Sequence, residues 1–185
     1  NGDGDPDERG DAMDKKMLAL PATLALCCTL TGCSGLASAE QNAVYDDDAR
    51  IAQEGGTYTA VNLRGSFDSP TLSIGELTGS YPYLLLTTPS ESGKLRIDYD
   101  LAVTAGNCKL VLVEYARDVD VVCEGTEQGS RTFDLSQGDY ALKIVGSHAG
   151  ADLSLKLAAS EGIEAEVPGD GFDKPRAVEL EPFEG

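Results

Sequence analysis

The chain has 185 residues and a hydrophobic fraction of 41%, which suits one folded domain with tails and argues against a chain that is disordered throughout. Its 14 Lys and Arg residues stand against 32 Asp and Glu residues, for a formal net charge of -18 at pH 7. Nucleic acids and anionic lipid surfaces would repel such a chain. We therefore expect no nucleic-acid partner, and a soluble surface is the simplest role for the acidic side chains.

The N-terminal region has the layout of a secretory signal. Lys15 and Lys16 precede a segment from Met17 to Leu30 that holds no charged residue, and small residues follow. These 14 apolar and small residues are too few for a membrane-spanning helix, which needs about 20. We assign residues 13 to 32 to a cleaved signal peptide and treat residues 1 to 12, which precede Met13, as upstream or artefactual sequence.

The end of this signal carries a specific motif. Leu30, Thr31, Gly32 and Cys33 resemble, position for position, the lipobox of bacterial lipoproteins. The resemblance implies that a signal peptidase recognises the first three residues and that Cys33 becomes the lipid-carrying first residue of the mature chain. Two or more acyl chains hold a protein durably on a membrane, whereas one chain is marginal. The expected location is the extracytoplasmic face of a bacterial membrane, with the covalent lipid as the membrane contact.

The alternative interpretation makes residues 17 to 30 a buried core helix in which Cys27 and Cys28 are packed thiols. Pro21 within the segment, the paired lysines before it and its terminal position all favour the signal. If the segment is a signal, Cys27 and Cys28 need no function, because soft apolar side chains suit its hydrophobic part.

Residues 33 to 54 are predicted to form the lipid-anchored tether. Small and polar residues dominate its first half, as in flexible linkers. Asp46, Asp47 and Asp48 at one end and Gly55 at the other are typical of the start and end of one short helix. Neighbouring carboxylates point apart along a chain, so we expect no metal site there.

Residues 55 to 158 are predicted to be an antiparallel β-sandwich or jelly roll. Nine short runs rich in Val, Leu, Ile, Thr and Tyr alternate with Gly, Pro, Asn, Ser and Asp, and no long helical period interrupts them. The period of two is clearest where Leu95, Ile97, Tyr99 and Leu101 share one face. The runs are TYTAVNLRGSF, TLSIGEL, YPYLLLTT, GKLRIDYDLAV, CKLVLVEY, VDVVCEG, SRTFDL, DYALKIVG and DLSLKLA.

Three of these pieces, GKLRIDYDL, CKLVLVEY and GDYALKIVG, resemble the β-sandwich accessory domains of the pre-peptidase C-terminal type that accompany secreted bacterial peptidases. The likeness covers about a third of the chain, from Ser92 to Leu157. It implies a non-catalytic domain. Residues 159 to 185 carry eight acidic and two basic residues with three prolines, and we predict an acidic flexible tail.

Two cysteines remain in the predicted mature domain. Cys108 and Cys123 lie on consecutive predicted strands, in a compartment that permits oxidation. Placing them directly opposite each other across a hairpin sets Leu110 against Val121, an apolar pair. We predict a disulfide, which would contribute about 3 kcal/mol on the entropic model. The alternative is two free, buried thiols, and a metal site is not expected because only one histidine accompanies them.

No catalytic motif is present: the sequence lacks the nucleophile elbow, the zinc-protease helix motif, the phosphate-binding loop and the dinucleotide fingerprint. The only histidine, His148, is predicted to lie in a loop without a nucleophile. Tyr81 and Tyr83, which flank Pro82, would share one side of a strand and are the candidate binding residues, although two core tyrosines are the simpler interpretation.

We expect a non-enzymatic protein without a cofactor that functions in binding, adhesion or envelope structure. A surface polysaccharide or a protein is the expected ligand class. The alternative is a small hydrolase or protease accessory protein, which a pocket with converging polar groups around His148 would favour. A two-lobed solute-binding protein is disfavoured, because about 150 mature residues are few for it.

Overall fold

The computed structural model describes residues 37–169 and 174–184, which all belong to one compact unit. Two short helices come first, and the remaining elements are strands. The helices are α1 (Ala39–Asn42) and α2 (Asp48–Ile51); the strands are β1 (Tyr58–Val61), β2 (Leu72–Thr88), β3 (Gly93–Glu114), β4 (Val119–Glu124), β5 (Glu127–Leu135), β6 (Gly138–Ala159), β7 (Glu164–Val167), β8 (Arg176–Val178) and β9 (Glu181–Pro182).

All the described strands belong to one sheet with the order β4-β3-β6-β2-β7-β8; in addition, β1 pairs with β2, β5 with β3 and β9 with β6. Every pairing is antiparallel except that of β6 with β9. The predicted all-β, mostly antiparallel class is confirmed. The predicted short helix also exists: Asp47 accepts a hydrogen bond from the Arg50 amide and begins α2.

Six of the nine predicted strands are joined in pairs into three long ones. TLSIGEL and YPYLLLTT are both parts of β2, GKLRIDYDLAV and CKLVLVEY are parts of β3, and DYALKIVG and DLSLKLA are parts of β6. The inward-facing positions change parity within each long strand. In β3 they are odd-numbered from Leu95 to Leu101 and even-numbered from Cys108 to Leu112. In β6 they are even-numbered up to Ile144 and odd-numbered from Ala149 onward.

The parity changes coincide with irregular backbone. Gly79 of β2, Gly106 of β3 and His148 of β6 all have positive φ angles, 105°, 59° and 51°. The register shifts at the same places, between Leu77 and Gly79 in β2 and between Ala105 and Asn107 in β3. Such bulges bend a strand and re-aim its side chains. The glycine-containing segments predicted to separate strands are therefore bends within continuous strands.

The main hydrophobic core draws on both halves of the long strands. Leu95, Ile97 and Tyr99 from the first half of β3 belong to the same buried cluster as Leu110 and Leu112 from its second half. The predicted shared face of Leu95, Ile97, Tyr99 and Leu101 is confirmed, since all four are buried in this cluster. Residues on both sides of the bends therefore belong to one hydrophobic core.

A second, smaller cluster lies on the opposite face of β3 and β6. Val111 and Val113 of β3 and Val145 of β6 pack there against four buried residues of the segment from 44 to 53, which we call the N-terminal strap. These strap residues are Val44, Tyr45, Ile51 and Ala52. The prediction of a tether reaching to residue 54 is corrected by this packing, because apolar strap side chains cover an apolar half of the sheet.

The predicted flexible tail is also corrected where the structure describes it. β7 pairs with β2, β8 pairs with β7, and β9 pairs with β6. Ala165 is buried in the main core, and the amide of Phe183 donates to the carbonyl oxygen of Ala159 at 2.9 Å. Alternate small apolar residues and the backbone hydrogen bonds of an available sheet edge order this acidic segment despite its charge.

Candidate functional site

The predicted lipidation site lies outside the described residues. Cys33 and the three residues of the predicted peptidase site, Leu30, Thr31 and Gly32, precede residue 37, where the description begins. The signal peptide, the first residues of the tether and residues 1 to 12 fall in the same region. These predictions therefore still rest on the sequence alone.

The two tyrosines of the candidate binding platform occupy different environments. Tyr83 is only 7% exposed, belongs to the main core and packs against Phe67 with ring centroids 6.2 Å apart. Burial raises the pKa of its hydroxyl to about 12. Tyr81 is half-buried and meets Tyr58 edge to face at 4.9 Å. The predicted platform of Tyr81 and Tyr83 is corrected: a ring as buried as Tyr83 cannot stack on a ligand, and the core interpretation holds for it.

Cys108 and Cys123 are free, buried thiols, so the predicted disulfide is not formed in the structure. The expected register was wrong. Cys123 lies opposite Leu110 rather than Cys108, and Val121 lies opposite Val111. The regular part of the hairpin is already displaced by one residue from the predicted register, since Val113 lies opposite Val119, and the bulge at Val122 adds a second. Burial raises the pKa of the Cys108 thiol to about 12 and that of the Cys123 thiol to about 11, so both are poor nucleophiles near neutral pH.

His148 lies within β6 at its bend, not in a loop between strands. Its Nδ1 is 3.3 Å from a carboxylate oxygen of Glu76, and both side chains are nearly half exposed. Its backbone amide donates to the Thr78 hydroxyl oxygen at 3.2 Å. Four clefts in the described surface have walls that do not include His148. The pocket around His148 that would have favoured a hydrolase is therefore not among them.

The largest of these clefts, of about 490 Å³, lies between Glu54, the residue that follows the strap, and the β5–β6 turn. We call it the strap cleft. Its wall carries four carboxylates, one arginine, one amide and two tyrosines: Glu54, Glu114, Asp139, Glu166, Arg117, Gln137, Tyr115 and Tyr140. Glu114 forms an ion pair with Arg117, which leaves an excess of negative charge. Anionic ligands would be repelled from this cleft, whereas neutral or cationic groups would be admitted.

The most deeply buried charged side chain of the described region lies next to Tyr115 of this cleft. Lys143 is 1% exposed, and its Nζ donates to the carbonyl oxygens of Ile51 at 2.8 Å and of Gln53 at 2.5 Å. The ring of Tyr115, which lines the cleft, lies 5.4 Å from the same Nζ. Burial without a carboxylate partner lowers the pKa of Lys143 to about 8.

Sequence reasoning missed Lys143, although a signal was present. It stands inside the apolar run from Tyr140 to Val145, where alternation fails because both faces of the strand are apolar. A lone lysine in such a run is expected to be buried and to need specific partners. What the sequence did not reveal was the partner, because the two carbonyl groups belong to a segment about ninety residues away.

The other half of the sheet's outer surface is open and polar. Cross-strand pairs cover it, including Thr71 with Ser154, Ser73 with Asp152, and Lys94 with Asp134 at 2.5 Å. Arg96 and Asp98 add a further ion pair at 3.5 Å along β3. The mixed charges of this face suit solvent or a polar macromolecular surface.

Among residues 37–169 and 174–184, no group of three or more His, Cys, Asp or Glu side chains is arranged to hold a metal ion. No helix of the described chain has the length and apolar character needed to span a membrane. The three Asp residues from 46 to 48 serve local structure instead: Asp47 caps α2 and pairs with Arg50 at 3.0 Å.

Comparisons with protein-family models and with curated proteins found no match for this chain.

Proposed function

We propose that the chain is a bacterial lipoprotein, anchored through Cys33 at the extracytoplasmic face of a membrane, whose domain acts in binding, adhesion or envelope structure without catalysis. The lipobox from Leu30 to Cys33, behind paired lysines and an uncharged segment, is the observation that carries the proposal. Its position fits the described fold, because the packed strap begins only 11 residues after Cys33.

We propose further that the sheet is a β-sandwich in which the bends in β2, β3 and β6 separate two layers. The support is that residues from both halves of each long strand meet in one hydrophobic cluster. Strands that pass from one layer to the other through bulges are a known way to build such corners. The resemblance to accessory domains of the pre-peptidase C-terminal type remains part of this proposal.

A binding role is supported by two uncovered polar surfaces, the strap cleft and the open sheet face. Both suit a neutral polysaccharide or a protein surface better than a polyanion, given the acidity of the chain. The exposed pair of His148 and Glu76 is the nearest approach to a catalytic arrangement in the described region. It lacks a neighbouring nucleophile in a cleft, so we do not favour the hydrolase alternative.

The anchor is tested by expressing the full chain in bacteria fed radiolabelled palmitate. Three variants are compared with wild type: Cys33→Ser, which removes the acceptor thiol, and Cys27→Ser and Cys28→Ser, which are matched controls in the same segment. We expect label and partition into detergent for wild type and both controls, and the loss of both for Cys33→Ser. The mass of the mature wild-type chain should correspond to a start at Cys33 plus acyl groups. Label that persists in Cys33→Ser, or a wild-type chain that retains residues 17 to 32 without acyl mass, would contradict the anchor.

Binding is tested separately on the purified domain by nuclear magnetic resonance titration with a neutral chitin oligosaccharide. Polylysine is the electrostatic control. Shifts at Tyr115 and Tyr140 with the neutral probe would support the strap cleft as a recognition surface, and shifts with polylysine alone would show only charge attraction.

A further inference from the structure

The strap is attached to the sheet without belonging to the main core. Its buried residues form a separate cluster with Val111, Val113 and Val145, and none of them is a member of the larger cluster. Removing the strap from the sheet would therefore leave the main core filled. Segments with few buried contacts and few backbone hydrogen bonds to the rest of a fold open locally before the whole domain unfolds.

Few polar contacts hold the strap in place. The amide of Ala116 donates to the carbonyl oxygen of Ala52 at 3.1 Å, and the Tyr45 hydroxyl donates to Glu124 at 2.8 Å. The ammonium group of Lys109 lies 4.8 Å from the centre of the Tyr45 ring. No ladder of backbone hydrogen bonds runs between the strap and a strand, since the described strap contains only α2 and irregular segments.

Lys143 makes two hydrogen bonds to the strap from a buried position. It reaches from the first half of β6 to the end of α2, where its Nζ donates to the carbonyl oxygens of Ile51 and Gln53. Among the polar contacts of the described strap, these involve the most deeply buried charged side chain. Because Lys143 is nearly fully buried, opening the strap would bring its ammonium group back to water, and this hydration partly offsets the free-energy cost of opening.

We propose that the strap is a detachable element latched by Lys143, which opens from the sheet while the main core stays folded and so uncovers the apolar surface of Val111, Val113 and Val145. The latch works through its two hydrogen bonds at the C-terminal end of the strap's helix. The hydrophobic contacts of Ile51 and Tyr45 supply the remaining attachment.

Hydrogen exchange of the full chain, followed at single amides, tests this inference. Ile51, Ala52 and Ala116 report on the strap, because their amides donate to strap carbonyls. Amides of the β3–β6 ladder around Leu110 and Ile144 report on the main core. In wild type we expect the strap reporters to exchange at least tenfold faster than the ladder amides.

Lys143→Met keeps an unbranched apolar side chain and removes the ammonium group that forms the latch. Lys156→Met, at an exposed position of the same strand, is the matched control. Lys143→Met should lower protection of the strap reporters by a further tenfold or more while ladder amides change less, and Lys156→Met should change neither. If Lys143→Met fails to fold, Tyr45→Phe, which loses only the Glu124 hydrogen bond, should shift the same reporters by a smaller factor.

Equal protection of strap and ladder amides in wild type would overturn the proposal, since the strap would then open only with global unfolding. The same holds if a strap variant lowers ladder protection as much as strap protection.

Discussion

The burial of Lys143 makes a quantitative prediction about stability and pH. The side chain is 1% exposed, and burial lowers its pKa from 10.5 to about 8. Between these two values the unfolded chain holds a proton on Lys143 that the folded chain has released. Unfolding then takes up a proton, so the free energy of unfolding rises with pH across this window. At about 1.4 kcal/mol per pH unit the full gain is about 3 kcal/mol.

Lys143→Met isolates this effect. The thiols of Cys108 and Cys123 act in the opposite direction, because their pKa values are raised in the fold and stability falls as pH rises above 9. They are present in both proteins and cancel in the difference. We expect wild type to gain about 3 kcal/mol relative to Lys143→Met between pH 8 and 10.5, with no change in the difference below that window.

Urea denaturation at closely spaced pH values, under reducing conditions, measures this difference. A direct titration of the Lys143 ε-carbon resonance in wild type should give a midpoint near pH 8 and does not depend on the variant folding. The strap should stay attached above that midpoint, because a neutral amine still has two N–H groups for the carbonyls of Ile51 and Gln53. A pH-independent difference together with a midpoint above about 10, the ordinary value for lysine, would refute the reasoning.

Three further predictions follow from the bends, the thiols and the strap. Gly106→Ala should lower the free energy of unfolding, measured by thermal melts, by about 3 kcal/mol or more, because its φ of 59° disfavours alanine and the new methyl group would meet backbone carbonyls of β6. Gly125→Ala, where φ is 71° and the space is open, is the control and should lower it by about 1 kcal/mol. Cys108→Ala should cost about 1 kcal/mol at pH 7 and reduce the loss of stability above pH 9, and a cost that grows with pH would contradict its raised pKa. Tyr45→Phe loses the hydrogen bond to Glu124 and should lower the free energy of unfolding by about 1 kcal/mol in urea denaturation. An unchanged urea midpoint would show that this bond does not stabilise the fold.

Local pattern was enough to predict the strands but not their continuity. Alternation identified the face of Leu95, Ile97, Tyr99 and Leu101 correctly, because side chains of a strand alternate whatever its partner. A cluster of glycines is found both where a strand ends and where a strand bends, so the local sequence does not distinguish the two. The choice at Gly79 and Gly106 depends on whether the next segment keeps the same neighbour, and β6 runs beside β3 on both sides of the bend. That information is not local.

The misplaced cysteine pair has the same origin. A hairpin register inferred from two short runs assumes that neither strand carries an extra residue. The hairpin is already displaced by one residue where it is regular, because Val113 lies opposite Val119, and Val122 adds a second residue that brings Cys123 opposite Leu110. Val119 and Val121 consequently face the smaller cluster with Val111 and Val113 instead of the main core. Both faces of this part of β3 are apolar, so hydrophobic patterning alone cannot distinguish the registers.

The strap and the C-terminal strands show a complementary limit. Both segments are polar or acidic by composition, which favours flexible chain, yet each carries a few apolar residues that match an exposed apolar surface elsewhere. Capping residues predicted the short helix α2, but Val44, Ile51 and Ala52 are too widely spaced to predict that the segment packs on the sheet, where they cover Val111 and Val145. The stronger indication was on the receiving strand, where the run around Lys143 is apolar on both faces and therefore requires a cover on each. A doubly apolar strand in an otherwise alternating antiparallel domain thus predicts that some polar-looking segment folds back over it, even when the segment itself carries no such signal.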